Sequence, residues 1–257
     1  MGRRKRKTST PCCYHITHRC LERKFFLKFE IDRKNYCQRL REMTRKYPVD
    51  VLDYIVTCNH IHLLLWSKHA TEVSQCMHYL AGNAARDYNR RKKREGAFWR
   101  GRYHPTLIED GAHLARCLFY IGLNMVRAGA CDHPQEWKIC GYHELVGKRQ
   151  RYRIINQDRV RQCLRVDNQN QFKDWYRATL EEKLSQDYRV REPIWSEAIA
   201  VGSEKWINGL SIGLLGARII PYRSSSSKLL HESQPIYGLH ISKREKEHFW
   251  KKQQELY

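Results

Sequence analysis

The sequence predicts an α+β protein: a ferredoxin-like antiparallel sheet covered by helices, followed by a mainly helical C-terminal region. Three observations lead there. Short period-two runs rich in β-branched residues alternate with longer period-3.6 runs over the first half of the chain. Their order is strand, helix, strand, strand, helix, strand, helix, and the first six reproduce the split β-α-β-β-α-β pattern. After about residue 130 these signals weaken, and charged helical stretches dominate.

The elements follow in order. Residues 1–11 form a basic arm, with five consecutive bases from Arg3 to Lys7. Tyr14 to Cys20 alternates and reads as the first strand. Asp32 is placed as the cap of a helix reaching Tyr47, with Tyr36, Leu40 and Met43 on one face and Pro48 stopping it. VDVLDYIVT is a strand, Cys58-Asn59 a tight turn, and HIHLLLWS the returning strand, internal to the sheet. Thr71 to about Arg94 is a second helix, buried through Val73, Met77, Leu80, Ala84 and Tyr88. YHPTLI, 103–108, is a short strand. Asp110 then caps a third helix to Arg127, closed by Ala128-Gly129. Residues 12–130 make one domain and 131–257 an accessory region, with Ile154, Val160, Leu164, Trp175, Leu180 and Leu184 as its core. REPIWSEAIAVGSEKWINGL is a second compact segment with a helix, ARIIPYRSSSSKLL holds a flexible loop, and KREKEHFWKKQQELY is a charged helix. No internal repeat is present.

Composition narrows the function. The chain has 257 residues, 41% of them hydrophobic, enough for a substantial core. No run approaches the roughly 18 apolar residues of a membrane span, and the basic N-terminus lacks the apolar core of a secretory signal. The 10 cysteines are scattered without a Cys-x-x-Cys pair, which fits reduced thiols in the cytoplasm; a zinc site gathered from distant cysteines is the alternative. Net charge is +21. Residues 1–150 carry 29 bases against 14 acids, net +15, and the remainder 19 against 13, net +6. Such a surplus calls for a polyanion, foremost nucleic acid. A membrane surface is the weaker choice, since no segment reads as a basic amphipathic anchor.

Chemistry concentrates in two places. His60 and His62 alternate with Ile61, so both point to one face of a strand about 6–7 Å apart, a spacing at which two imidazoles can share a metal ion. The alternative is a pair of half-buried polar residues satisfied by neighbours. The third helix carries His113, Arg116, Tyr120, Asn124 and Arg127 within about 80° of arc. Such a stripe is either an ordinary wet face or a functional one; it is narrow and lacks the Lys and Glu of plain solubility. Tyr120 and Asn124 lie one turn apart. An amide oxygen and two imidazoles would hold a divalent ion with positions open for phosphate, and a phenol can serve as nucleophile.

HIH after a short turn, FWRGRYHPTLIED ahead of the third helix, and YIGLNMVRAG on it together resemble the HUH single-tyrosine transposases, and within them the REP-associated tyrosine transposases. The resemblance covers about residues 12–130. It implies His60 and His62 as the HUH pair, Asn124 as a further metal ligand and Tyr120 as the nucleophile. It also implies Mg²⁺ or Mn²⁺ as cofactor, single-stranded or hairpin DNA as partner, and cutting and rejoining through a 5′-phosphotyrosine with a free 3′-OH. Two positions depart from the family pattern: Met125 stands where Pro usually follows the amide, and Cys58 where Pro often precedes Asn59-His60. Phosphate contacts are expected from Arg90, Arg91, Lys92, Lys93 and Arg94 and from Arg100 and Arg102, with Trp99 and Tyr103 stacking on bases. A solvated helix end and a core aromatic cluster are the plainer alternatives. Arg127 either meets phosphate or decorates a helix C-terminus. Rival functions are a domesticated hairpin-binding protein without chemistry and an HUH replication initiator or relaxase. A monomer and a homodimer both remain open.

Overall fold

The computed structural model describes residues 11–149, 151–186, 192–210, 218–222 and 236–240. The basic arm at 1–10, the serine-rich loop and the charged C-terminal segment fall outside the described residues. Strand β1 (Cys12–Arg19) leads to helix α1 (Glu30–Lys46), then β2 (Val49–Val56), β3 (His60–Ser67), α2 (Ala70–Lys92) and β4 (His104–Ile108). The strands lie in the order β2-β3-β1-β4, with antiparallel neighbours throughout. That is the expected ferredoxin-like sheet, and β3 is internal as its apolar run requires.

Helices cover both faces of the sheet. Alternation sends His18 of β1 toward Tyr36 of α1 through Trp99, and sends His15 to the opposite face against Tyr120. The second face is covered by α3 (Ala112–Gly122) and α4 (Asn124–Arg127). In sequence these look like one helix, but the chain leaves helical geometry at Leu123 (φ −85°, ψ 7°). Leu123 N still donates to Phe119 O and Arg127 N to Leu123 O, both at 2.9 Å, so Tyr120 and Asn124 stay one turn apart.

Two expected caps are corrected. Helix α1 starts after Phe29, and Asp32 sits buried inside its first turn, where Arg91 of α2 forks onto both carboxylate oxygens. A buried carboxylate is better compensated by a guanidinium than by backbone N–H groups alone. Helix α3 begins after Gly111, whose φ of 77° suits glycine, while Asp110 accepts a bond from the Cys13 thiol at 3.1 Å. Helix α2 is opened by a capping box instead: Glu72 reaches back to His69 N at 3.2 Å.

The C-terminal region is largely helical, through α5 (Tyr142–Leu145), α6 (Gln157–Leu164), α7 (Gln169–Ser185), α8 (Ile194–Glu197) and α9 (Glu204–Gly209). It also contributes strands β5 (Ala200–Gly202), β6 (Arg218–Tyr222) and β7 (Ile236–His240). Strand β5 pairs in parallel with β4, and β7 and β6 follow, giving a seven-stranded sheet in the order β2-β3-β1-β4-β5-β7-β6. The β4 edge is thereby paired, not left to solvent. Helix α7 packs on the outer side of α3 through Tyr176 and Trp175 against Phe119. With sheet on one side and α7 on the other, α3 is buried almost all round, as its apolar sequence demands.

Glu144 fastens this region to the sheet. Its fully buried carboxylate accepts from Tyr54 Oη at 2.8 Å and from the backbone N–H groups of Ile154 and Ile155 at 2.7 and 2.9 Å. Gly141, one turn earlier, admits no side chain, because a Cβ there would lie 2.0 Å from Asp53 Oδ1. Glu144→Ala strands two buried N–H donors and a phenol, so we expect a loss of about 2–5 kcal/mol in urea unfolding. A loss below about 1 kcal/mol would show that water or rearrangement replaces the carboxylate.

Candidate active site

His60 opens β3 and His62 lies two residues on, both toward α3. The rings are 5.0 Å apart between centroids. Neighbours fix the tautomer of each. His60 Nδ1 lies 2.9 Å from Thr57 Oγ1 and 2.8 Å from Asn59 Oδ1. The threonine hydroxyl donates its own hydrogen to His60 O, and the asparagine is oriented by Nδ2 donating to Arg23 O at 3.2 Å. Both oxygens therefore accept at Nδ1, so the proton sits there and Nε2 carries the lone pair.

His62 reaches the same state by a longer route. Trp195 O, which can only accept, takes the proton of His15 Nδ1 at 2.8 Å. A neutral His15 then has its lone pair on Nε2, which takes the His62 Nδ1 proton at 2.8 Å. His62 Nε2 is left as an acceptor, 3.1 Å from the Asn124 amide nitrogen. Burial keeps all three rings neutral: it pulls the pKa of His15 down to about 3 and that of His60 to about 4, and pushes His62 well below the usual imidazole value. The charges of Arg127 and Arg19 act on His60 and His62 in the same direction.

Tyr120 stands against this pair. Its ring is edge-on to His62 at 5.8 Å and to His15 at 5.9 Å, and it packs beside Trp195 at 5.8 Å. The Arg127 guanidinium lies 4.2 Å over the ring and donates to Tyr120 O at 2.6 Å. The polar stripe of the third helix is thus not a uniformly wet face: His113 and Tyr120 are 2% and 4% exposed, and Tyr120 packs on the histidines of β1 and β3, while Arg116, Asn124 and Arg127 are half-buried. His60, His62, Tyr120 and Asn124 assemble within one chain.

The other expected contacts divide. Arg90, Lys92, Lys93, Arg100 and Arg102 are exposed. Arg91 is tied to Asp32, and Arg94 donates to Asn89 Oδ1 at 2.8 Å and to Ala97 O at 3.1 Å. Trp99 stacks on His18 at 4.0 Å and donates to Ala81 O at 3.0 Å; Tyr103 donates to Ser74 Oγ at 3.3 Å. Sequence reasoning passed over His15 and Trp195. A histidine in period with the buried side of β1 was a signal for the first. For the second there was none, because the contact is a backbone carbonyl 180 residues away.

The donor chemistry fits a divalent ion. Two desolvated imidazoles present Nε2 lone pairs with their far nitrogens anchored, and turning the Asn124 amide over brings its oxygen to the same place. A second donor cluster, Cys13, Asp110 and Cys163, shares no residue with the histidine pair. It joins β1, the start of α3 and the end of α6, with the two sulfurs 4.0 Å apart.

Residues 8–122 match the family described as Transposase IS200 like. Over that segment the chain is similar to the IS200-like transposases. The matched segment ends within α3, two residues after Tyr120. The chain is similar to a solved REP-associated tyrosine transposase bound to a REP hairpin, at 14% identity over 58% of this chain and 87% of that one, with a TM-score of 0.47. It is also similar to a candidate transposase from Deinococcus radiodurans R1, at 18% identity over 40% and 84% of the two chains, with a TM-score of 0.33. At those scores the assignment rests on the family match. No curated relative matches the chain. Among the described residues no helix is long and apolar enough to cross a membrane.

Two outcomes are expected. His15→Phe keeps the ring volume and removes both relay nitrogens, so Mn²⁺ affinity measured by calorimetry should fall about 10–100-fold. Unchanged affinity would mean that His62 needs no orienting partner. For pH, unfolded imidazoles titrate near 6.5, whereas His15 and His18 are held at about 3 and about 4. The unfolded chain therefore binds more protons below pH 6.5, and the stability present above that value should fall as pH drops toward 4. A flat unfolding free energy between pH 7 and 4.5 would contradict the buried neutral state.

Proposed function

We propose that the chain is a metal-dependent single-tyrosine transposase that cuts and rejoins single-stranded DNA beside hairpins. One observation carries this reading: two neutral imidazoles with outward Nε2 lone pairs, the Asn124 amide and the Tyr120 ring converge at one point, with Arg127 over the phenol. His60, His62 and Asn124 would hold Mg²⁺ or Mn²⁺, hard ions suited to phosphate oxygens. When bound, that ion supplies charge withdrawal from the scissile phosphate.

The protein's own groups do the rest. Tyr120 attacks phosphorus, its O–P bond replacing the bond to the 3′ oxygen. The proton lost by the phenol is balanced by the one gained on the released 3′-OH, and the phosphotyrosine keeps the diester's energy for rejoining. Trp195 and His15 hold the nucleophile's ring from behind. Arg127 and Arg19 supply fixed positive charge for a phosphate entering the site. The exposed bases Arg90, Lys92, Lys93, Arg100 and Arg102 follow the DNA backbone, while Arg91 and Arg94 chiefly support the fold. We assign the chemistry to residues 12–130, with the region after 130 as its support, acting on DNA in the cytoplasm. A hairpin-binding protein without chemistry would have little use for two tautomer-fixing networks.

The test is a labelled hairpin strand incubated with Mn²⁺ and resolved on a denaturing gel. Wild type should give a covalent adduct mapping to Tyr120. Tyr120→Phe should lose it by at least about a thousandfold while still binding DNA. An adduct on another tyrosine, or one that survives Tyr120→Phe, would overturn the assignment.

A further inference from the structure

The segment joining β1 to α1 shows an unusual surface. Phe25 is 65% exposed and Phe29 51%, on a stretch that also exposes Arg23, Lys24 and Lys28. Scattered exposed hydrophobics need no explanation, but two phenyl rings among cations within five residues do. More cations arrive from the end of α2: Lys92 Nζ lies 4.6 Å from the Phe29 ring and the Arg91 guanidinium 5.9 Å from it. The backbone is held in place at some cost. Glu22 and Arg23 are consecutive non-glycine residues in the left-handed region, at φ 52° and 59°.

The segment is also coupled to the histidine pair. Cys20 N donates to Asn59 O at 2.8 Å and Leu27 N to Cys58 O at 2.9 Å, so both of its ends hang on the turn before His60. Asn59 makes the direct link: its Oδ1 accepts from His60 Nδ1 while its Nδ2 donates to Arg23 O. A segment that offers π faces and cations, anchored to a catalytic turn, has the chemistry of a single-strand guide. Every base has a face to stack, and every linkage a phosphate to neutralise.

We propose that the segment from Leu21 to Phe29 is a binding platform for unpaired nucleotides beside the scissile phosphate, with a base stacked on Phe25 and the strand's phosphates on Arg23, Lys24 and Lys28. The proposal rests on the DNA-cleaving reading above and adds the site's strand guide. It replaces Trp99 and Tyr103 as the stacking residues, since Trp99 already stacks on His18.

The full-length protein is titrated with two probes: a DNA hairpin carrying an unpaired tail with one 2-aminopurine, and the same hairpin without a tail. Phe25→Ala should weaken binding of the tailed probe about 5–150-fold and abolish 2-aminopurine quenching, leaving the tailless hairpin unchanged. Phe25→Trp should restore both, and Phe25→Leu, apolar but without a π face, should not. Equal affinity of Phe25→Ala and wild type for the tailed probe would overturn the platform while leaving the transposase reading intact. An equal loss on both probes, or a change of oligomeric state in sedimentation, would assign the patch to the hairpin stem or to a second copy and overturn it also. Wild-type protein that binds neither probe would overturn both readings together.

Discussion

Everything at the candidate site depends on the desolvation of two imidazoles. Placing β3 inside a sheet buries His62 and half-buries His60, and desolvation disfavours the charged form of either ring. A buried neutral imidazole still has one donor and one acceptor to satisfy, so the protein must supply partners for Nδ1 if Nε2 is to stay available. It does so twice, by different means. His60 uses the local turn, through Thr57 and Asn59. His62 uses a second histidine on the neighbouring strand and, beyond it, the Trp195 carbonyl.

The second of these routes explains how the C-terminal region takes part in the site. Trp195 supplies a carbonyl to His15 and a ring face to Tyr120, while its indole N–H is held by Glu192 at 2.6 Å. The adjoining residues are sewn to β4: Ala198 O accepts from Thr106 Oγ1 at 2.9 Å, and Ile199 O from Leu107 N at 2.9 Å. Parallel pairing of β5 with β4 fixes where Trp195 falls. The region's attachment to the sheet and the orientation of His62 are therefore one structural decision, and loosening the first loosens the second.

Charge is used in two distinct ways across the same surface. Some guanidiniums are spent inside the fold: Arg91 on the buried carboxylate of Asp32, Arg39 on Asp87 at 2.7 Å, and Arg159 on Asp50 at 2.8 Å. Others, among them Arg90, Lys92, Lys93, Arg100 and Arg102, stay exposed and add to a net positive field, which acts at a distance on a polyanion and weakens with salt. A run of basic residues in the sequence does not reveal this division, because it depends on which acids the tertiary fold brings opposite.

The sequence by itself determined the strand and helix order, the internal position of HIHLLLWS, the shared face of His60 and His62, and the one-turn spacing of Tyr120 and Asn124. These follow from periods of 2 and 3.6 residues, which are local properties of the backbone. It did not determine the caps, since Asp32 and Asp110 found partners in Arg91 and Cys13 that compete with the local role. It left open whether the polar stripe of α3 was wet, because that depended on α7 and the sheet closing over the helix from both sides. Trp195 was beyond it for the same reason, and of His15 the sequence showed the buried side of β1 but not the partners, which lie 47 and 180 positions away. Only the folded chain decides which nitrogen of an imidazole holds its proton, since that is set by whichever donors and acceptors the fold delivers to its two sides.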